Sequence, residues 1–331
     1  MTQTAARTNL LLAMDPAALA HDVLAGQRPA SASGLPTRAL GRTGEHVSIL
    51  GLGGWDIGSI QDDLESIRFM HTALGEGVTF FDNAWDYHDG RSEELMGRAL
   101  AMDGRRKNVF LMTKNCERDY QGSLRNLEDS LRRLRTDHLD LWQFHEINWP
   151  EDPDWVFEQG GMRAALEARQ AGKVRYIGFT GHKHPAHHLG MLAKPFDWDA
   201  CQMPINVMDA SYRSFQKEVV PVCLGKGVGV IGMKGLGGTD APIAAKGGIP
   251  AATAYRYALS QPVATQVAGM SRPAELAENV ALARGFVALS VAEQAALVEQ
   301  AAAAAGDGRY ERFKSTTEFE GPHHKRQHGA A

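Results

Sequence analysis

Cysteine is scarce in this chain: three in 331 residues, at 116, 201 and 223, with no CxxC pair. That excludes a disulfide framework and a clustered thiolate metal site, and a reducing cytoplasm is the expected compartment. Positive charge is not in surplus either, since 35 Lys and Arg face 39 Asp and Glu for a formal net charge of −4. Nothing in that balance attracts nucleic acid or an anionic membrane surface. No apolar run approaches the roughly 20 residues that a transmembrane helix needs. "NLLLAM" near the start is too short and poorly flanked for a signal segment, and no twin-Arg pair precedes it.

What the chain does have is alternation. Short apolar, β-branched runs recur at 47–51, 78–83, 109–113, 139–144, 174–180, 199–204, 227–233 and 264–269. Helical patterns lie between them, near 62–75, 92–101, 161–172, 186–193, 211–224, 250–260 and 273–284. The clearest is "SLRNLEDSLRRLR", where Leu124, Leu127, Leu131 and Leu134 keep 3.6-residue spacing and charges fill the other face. Runs that are apolar throughout fit parallel strands buried on both faces. Eight βα units in series predict a single-domain (β/α)8 TIM barrel, with a doubly wound sheet as the alternative. The expected division is an N-terminal extension over 1–35 with a short helix near 15–26, the barrel over 36–306, and a C-terminal segment over 307–331. A further helix over 290–304 starts from Ser290 as N-cap and packs outside. The tail "HHKRQHGAA" is expected to be disordered.

A barrel of this kind carries its chemistry where strands end. The second strand ends in Asp82, and Tyr87 follows five residues later. The third ends in Lys114 and the fourth in His145. A phenol, with an ordinary pKa near 10, is a poor acid-base group at neutral pH. An ammonium beside it favours the phenolate, and a buried ammonium needs a carboxylate. The expectation is a chain in which Asp82 holds Lys114, Lys114 lowers the pKa of Tyr87, and His145 orients a substrate oxygen. The alternative is a structural Asp–Lys pair with a tyrosine capping a loop.

These residues carry a resemblance. "GVTFFDNAWDYHDGRSEELMGRAL" is similar to the first signature of the aldo-keto reductase superfamily, with its Asp, a Tyr five residues on, and Glu-x-x-Gly (Glu94, Gly97). "LMTKN" and "QFHEI" resemble its Lys and His segments, "LGRTGEHVSILGLGG" its entry segment, and "GMSRPAELAENV" its last cofactor segment. The resemblance runs in order from about 36 to 305. It implies that Asp82, Tyr87, Lys114 and His145 are catalytic. It also implies hydride transfer between a nicotinamide cofactor and a carbonyl or alcohol, with Tyr87 as general acid or base and His145 on the substrate oxygen.

The family binds its dinucleotide without a Rossmann fold. No GxGxxG stands here between a first strand and a helix, and "GLGG" at 51–54 reads as a barrel loop. The resemblance assigns Gln202 to the carboxamide, and Lys234 with Gly235, Leu236, Gly237 and Gly238 to the pyrophosphate. Thr180–Gly181 stands where many members have Ser-Asn, and Met233 where many have an aromatic ring. Gly54, Trp55 and Asp82 complete the nicotinamide end. Gly269, Met270, Ser271 and Arg272 are expected near the adenosine 2′-phosphate, with Glu278 and Asn279 on the adenine. Arg272 favours NADPH (NADP+), with NADH as the alternative. One further Arg of many NADP-binding members is missing near Glu275.

Other readings stay beside this one. His182, His184, His187 and His188 cluster after the fifth strand, but no acids complete a shell and no metal is expected. Trp55, Trp85 and Trp149 either line an apolar pocket or pack under loops. The fold also serves as a nicotinamide-binding regulatory module with little turnover, and a phosphate-binding isomerase is a third class. The expected partner is a small carbonyl or alcohol, an aldehyde, ketone or keto-sugar.

Overall fold

The apolar runs become strands that pair edge to edge until the sheet closes. The computed structural model describes residues 16–30, 34–238 and 240–330. Eight parallel strands form the closed barrel: β3 (Leu50–Gly53), β4 (Phe80–Asp82), β5 (Phe110–Asn115), β6 (Leu139–Phe144), β7 (Val174–Thr180), β8 (Ala200–Pro204), β9 (Gly229–Met233) and β10 (Thr265–Ala268), with β10 closing on β3. The doubly wound alternative is thereby overturned. Helices over 63–75, 91–101, 120–134, 161–170, 185–193 and 251–259 lie between the strands, and one over 273–284 follows the last strand. No described helix is long and apolar enough to cross a membrane.

The first expected strand, 47–51, divides in two. Thr37–Ala39 (β1) and His46–Ser48 (β2) pair as an antiparallel hairpin outside the barrel, and β3 starts only at Leu50. The break falls at Ile49, whose N–H turns away to the carbonyl of Pro36 at 3.0 Å. Leu40 and Val47 of the hairpin then pack with Phe80, Phe110, Met112, Leu141 and Ile231, so apolar side chains seal the end of the barrel opposite the catalytic face. "GLGG" at 51–54 is not a loop either. Gly51 to Gly53 lie in β3, and Gly54 opens a helix over Gly54–Ser59. A Cβ on Gly54 would stand 2.5 Å from the carbonyl oxygen of Asp82, so close packing against β4 requires the glycine.

Outside the barrel, Leu127, Leu131 and Leu134 bury as their spacing predicts. Gly97 lets the helix over 91–101 approach that over 120–134, since a Cβ there would lie 2.1 Å from the Arg133 carbonyl oxygen. The expected helix over 211–224 is broken into Asp209–Ser211, Phe215–Glu218 and Val220–Gly225. Ser214 caps the middle piece by accepting from the Lys217 N–H, and Pro221 has no N–H to continue it.

The largest correction concerns the tail. The helix over Val291–Ala305 starts from Ser290, as expected. Beyond it the chain crosses the barrel mouth, with helical turns at Arg312–Ser315 and Pro322–Gln327. The tail histidines, read as disordered, are packed. His324 is fully buried, and His328 stacks between Trp149 and Trp155, 4.7 Å from each. Polar composition misleads here because Lys314, Glu320 and Gly321 meet partners far away in sequence. Lys314 is fully buried and donates to Asp209 at 2.6 Å, Glu311 at 2.9 Å and the Tyr212 carbonyl at 2.8 Å. Lys183 pairs with Glu320 at 2.6 Å, and the Gly321 N–H donates to both carboxylate oxygens of Glu146 at 3.1 Å.

Lys314→Met removes the cation and leaves Asp209 and Glu311 buried beside one another. Chemical unfolding should show a loss of about 3–5 kcal/mol, as for other broken buried pairs. A loss under about 1 kcal/mol would mean that the ammonium does not anchor the segment.

Candidate active site

Each expected catalytic side chain stands at the C-terminal end of a barrel strand or in the loop behind it. Asp82 ends β4, and Lys114 stands one residue before the end of the neighbouring β5. The Lys114 ammonium, 1% exposed, is ion-paired with Asp82 Oδ1. Its other donors reach the Asn83 carbonyl at 2.7 Å and the Tyr87 hydroxyl at 3.2 Å. Tyr87 is placed by a tight turn in which His88 and Asp89 take positive φ of 51° and 55°. The His145 ring lies 5.6 Å from the Tyr87 ring, edge to face, and Trp55 meets Tyr87 from another side at 5.3 Å. Asp82 Oδ2 accepts from Gln202 Nε2 at 2.6 Å across the barrel.

All four side chains line a cavity of about 1260 Å³, larger than most small-ligand pockets. Its floor is the barrel mouth. Phe319, Glu320, Gly321 and His323 of the C-terminal segment form part of its wall.

The electrostatics differ from the expectation in one respect. Burial, and then the negative charges of Asp82 and Asp86, hold the Tyr87 phenol well above its ordinary value of 10. The ammonium alone would lower it, but burial, and then the acids around it, outweigh that effect. Resting Tyr87 is therefore a neutral phenol with a proton to give. Burial likewise keeps the His145 imidazole below its ordinary range, against the opposing pull of Asp86. Burial and then Asp86 push the Glu146 carboxyl well above the carboxylate range. For Asp86 itself, burial raises the pKa, but His145 and then His324 outweigh it and leave it a carboxylate.

Residues 49–240 match the model of the aldo/keto reductase family. This chain belongs to that family. Aldo-keto reductase YhdN of Bacillus subtilis (strain 168) is 31% identical over 192 residues, which cover 54% of this chain and 54% of YhdN. The chain spans between 45% and 66% of the length of the curated relatives it matches. Among solved structures, the thermostable aldo-keto reductase Tm1743, in complex with the inhibitor epalrestat, aligns with a TM-score of 0.66 at 27% identity. That alignment covers 80% of this chain and 99% of Tm1743. An aldo/keto reductase from Klebsiella pneumoniae in complex with NADP and acetate aligns with a TM-score of 0.64, covering 81% of this chain and 95% of that one. At 21% identity it is a likeness of fold alone.

The residues expected to face a cofactor divide into two groups. Gly54, Trp55, Asp82, Thr180, Gln202, Met233 and Gly269 line the cavity, as do Lys234, Gly235, Leu236 and Gly238 behind β9. Gly237 and Gly238 take φ of 84° and 103°, which only glycine adopts without strain. Burial lowers the Lys234 ammonium to about 8, and the rings of Phe313 and Phe319 stand 5.1 and 5.4 Å from it. Gly237, Met270, Ser271, Arg272, Glu278 and Asn279 do not line the cavity. Met270 is buried, Glu278 is exposed, and Arg272 is an exposed side chain paired with Glu275 at 2.6 Å.

Several residues of the site were missed. Asp86 stands next to Tyr87, Glu146 next to His145, and Cys116 two residues past Lys114, so proximity to the motif residues was a usable signal. His324 had none. The Glu-x-x-Gly reading chose Glu94, which is exposed; Glu93 is the buried acid, accepting from Thr113 at 2.7 Å and Arg133 at 3.2 Å. Trp55 and Trp85 line the cavity, whereas Trp149 packs on His328. The histidines after β7 hold backbone: His182 meets the Phe313 carbonyl at 3.1 Å, His188 meets the Gln202 carbonyl at 3.2 Å, and His184 caps a helix. Elsewhere, donor atoms of Asp86, Cys116, His145 and His324 gather within 4.8 Å of one another.

Subtracting the tyrosinate absorbance titration of Tyr87→Phe from that of the unsubstituted protein isolates this phenol. It should not ionise below pH 10. An ionisation below about pH 9 would mean that Lys114 dominates the acids around it.

Proposed function

We propose that this chain is an NADP(H)-dependent oxidoreductase that interconverts a small carbonyl compound and its alcohol, with Tyr87 as the proton donor or acceptor. The observation that carries the reading is the hydroxyl of Tyr87, open to the cavity, 3.2 Å from a buried ammonium whose charge Asp82 balances. A structural ion pair has no need to hold a phenol at the edge of a large cavity.

The residues present fit a nicotinamide dinucleotide. Gln202 spends its Nε2 on Asp82, while its Oε1 is buried without a partner among the described residues. An unpaired buried acceptor is costly, and a carboxamide N–H is a suitable donor for it. Thr180 pairs in register with Gln202 on the neighbouring strand and adds a hydroxyl at the same depth. Gly235 and Gly238 line the cavity beside the Lys234 ammonium, where the lack of a side chain lets a phosphate come close to the backbone. Bound, the cofactor would supply a hydride from its nicotinamide ring.

The other steps belong to the chain. His145, held neutral by burial, hydrogen-bonds the substrate oxygen. As that oxygen gains negative charge, Tyr87 gives it the phenolic proton. The resulting phenolate is stabilised by the Lys114 ammonium already in contact with it, which counts for more once a charge has formed in a buried site. The acids that raise the resting pKa keep the proton in place beforehand. In the oxidising direction, Tyr87 as phenolate takes the alcohol proton. Trp55 and Trp85 give the cavity apolar surface for the substrate.

Tyr87→Phe keeps the ring and removes the proton. NADPH affinity by fluorescence titration should stay near that of the unsubstituted protein, while turnover on a carbonyl panel falls by on the order of a hundredfold or more. Near-normal turnover would remove Tyr87 from the acid-base role.

Arg272 reads the 2′-phosphate in this proposal, by leaving Glu275 for it. Arg272→Ala should weaken NADPH binding by about 1.5–3 kcal/mol and leave NADH binding nearly unchanged. Equal losses for both would show that the side chain stays with Glu275.

A further inference from the structure

We propose that Asp86, Cys116, His145 and His324 form a site for one divalent cation of the zinc class, which clasps the C-terminal segment to the barrel mouth beside Tyr87. The donors come from four separate pieces of chain: the loops behind β4, β5 and β6, and the turn over Pro322–Gln327. Each offers one ligand atom, and the four atoms lie within 4.8 Å of one another. The shorter separations are 3.2 Å from Asp86 Oδ1 to His145 Nδ1 and 3.5 Å from Cys116 Sγ to the same nitrogen. Tetrahedral zinc with ligands at about 2.0–2.3 Å sets its donor atoms roughly 3.3–3.8 Å apart. The widest pair therefore has to close by about an ångström, within reach of small side-chain rotations.

Little else in the structure claims these atoms. His324 is fully buried, and neither of its ring nitrogens has a hydrogen-bond partner among the described residues. Asp86 Oδ1 is close to His145 Nδ1 yet makes no hydrogen bond of good geometry. Buried polar atoms are nearly always satisfied, and an ion is one of the ordinary reasons for an apparent exception. The donor chemistry selects the ion: two imidazoles, one thiolate and one carboxylate suit zinc and poorly suit magnesium or calcium. The carboxylate and the thiolate balance a divalent charge, and the thiol proton passes to solvent on binding. The neighbouring Arg118 guanidinium does not oppose this, since Asp152 holds it at 2.8 Å.

The site would act by positioning. A cation on His145 Nδ1 leaves the ring proton on Nε2, the tautomer that can donate to a substrate oxygen. Only this last consequence rests on the reductase reading; the cation site itself does not.

The test is cobalt(II) titration of the full chain after treatment with a chelator. One equivalent should bind, with a thiolate-to-cobalt charge-transfer band and the visible bands of a tetrahedral ion, and zinc(II) should displace it. Cys116→Ser should abolish the charge-transfer band, and His324→Ala should weaken affinity by more than a hundredfold, beyond what a supporting residue costs. Cys201→Ser with Cys223→Ser, and separately His323→Ala, should leave the spectrum intact. Absence of one-to-one binding, or a band that survives Cys116→Ser, would overturn the site. If Cys116→Ser does not fold, the Cys201→Ser/Cys223→Ser variant decides: loss of the band there assigns it to the other cysteines and overturns the site. Tyr87→Phe should bind cobalt normally, so a failed reductase reading and a failed cation site give different results.

Discussion

One buried ammonium organises the catalytic end of this barrel. Lys114 has three N–H donors and no acceptor, and each donor is spoken for: Asp82, the Asn83 carbonyl and the Tyr87 hydroxyl. The end of β4 and the loop behind it are thus shaped around a neighbour on β5. Asp82 has a second oxygen to satisfy, and only a closed barrel brings Gln202 of β8 across to it at 2.6 Å. The result is a line of contacts from Gln202 through Asp82 and Lys114 to Tyr87. Breaking its central link, Asp82 to Lys114, leaves a charge buried alone, which costs several kcal/mol. Fold closure and the candidate chemistry therefore depend on the same interaction.

Much of this was legible in the sequence because it follows from local patterns. The Leu spacing over 124–134, the apolar runs of β4 to β9 and the cap at Ser290 each state their structure within a few residues. The four residues at strand ends could be read for the same reason, since a barrel fixes where strand ends must go. The strand over 47–51 failed because its two halves are both apolar for different reasons: Val47 packs in the hairpin seal and Leu50 in the barrel wall. Periodicity does not distinguish those two kinds of burial.

The tail was illegible on physical grounds. Nothing local marks His324 or Lys314 as buried, and their neighbours in space, His145 and Asp209, lie over a hundred residues away. The acid environment of Tyr87 was missed similarly. Asp86 and Glu146 sit beside motif residues and look like ordinary loop acids, yet Asp86 turns its charge on the phenol and Glu146 is buried beside it. Contacts made by folding, and not by sequence spacing, reverse the direction of its shift. At the adenosine end the exposed Arg272 is already paired with Glu275.

The hairpin formed by β1 and β2 has a consequence for traffic through the molecule. With Leu40 and Val47 plugging one end of the barrel, the cavity has no back door there, and whatever reaches Tyr87 passes through the mouth that the C-terminal segment narrows. Of two ligands seated there one behind the other, the deeper would have to enter first and leave last, because both share the one mouth.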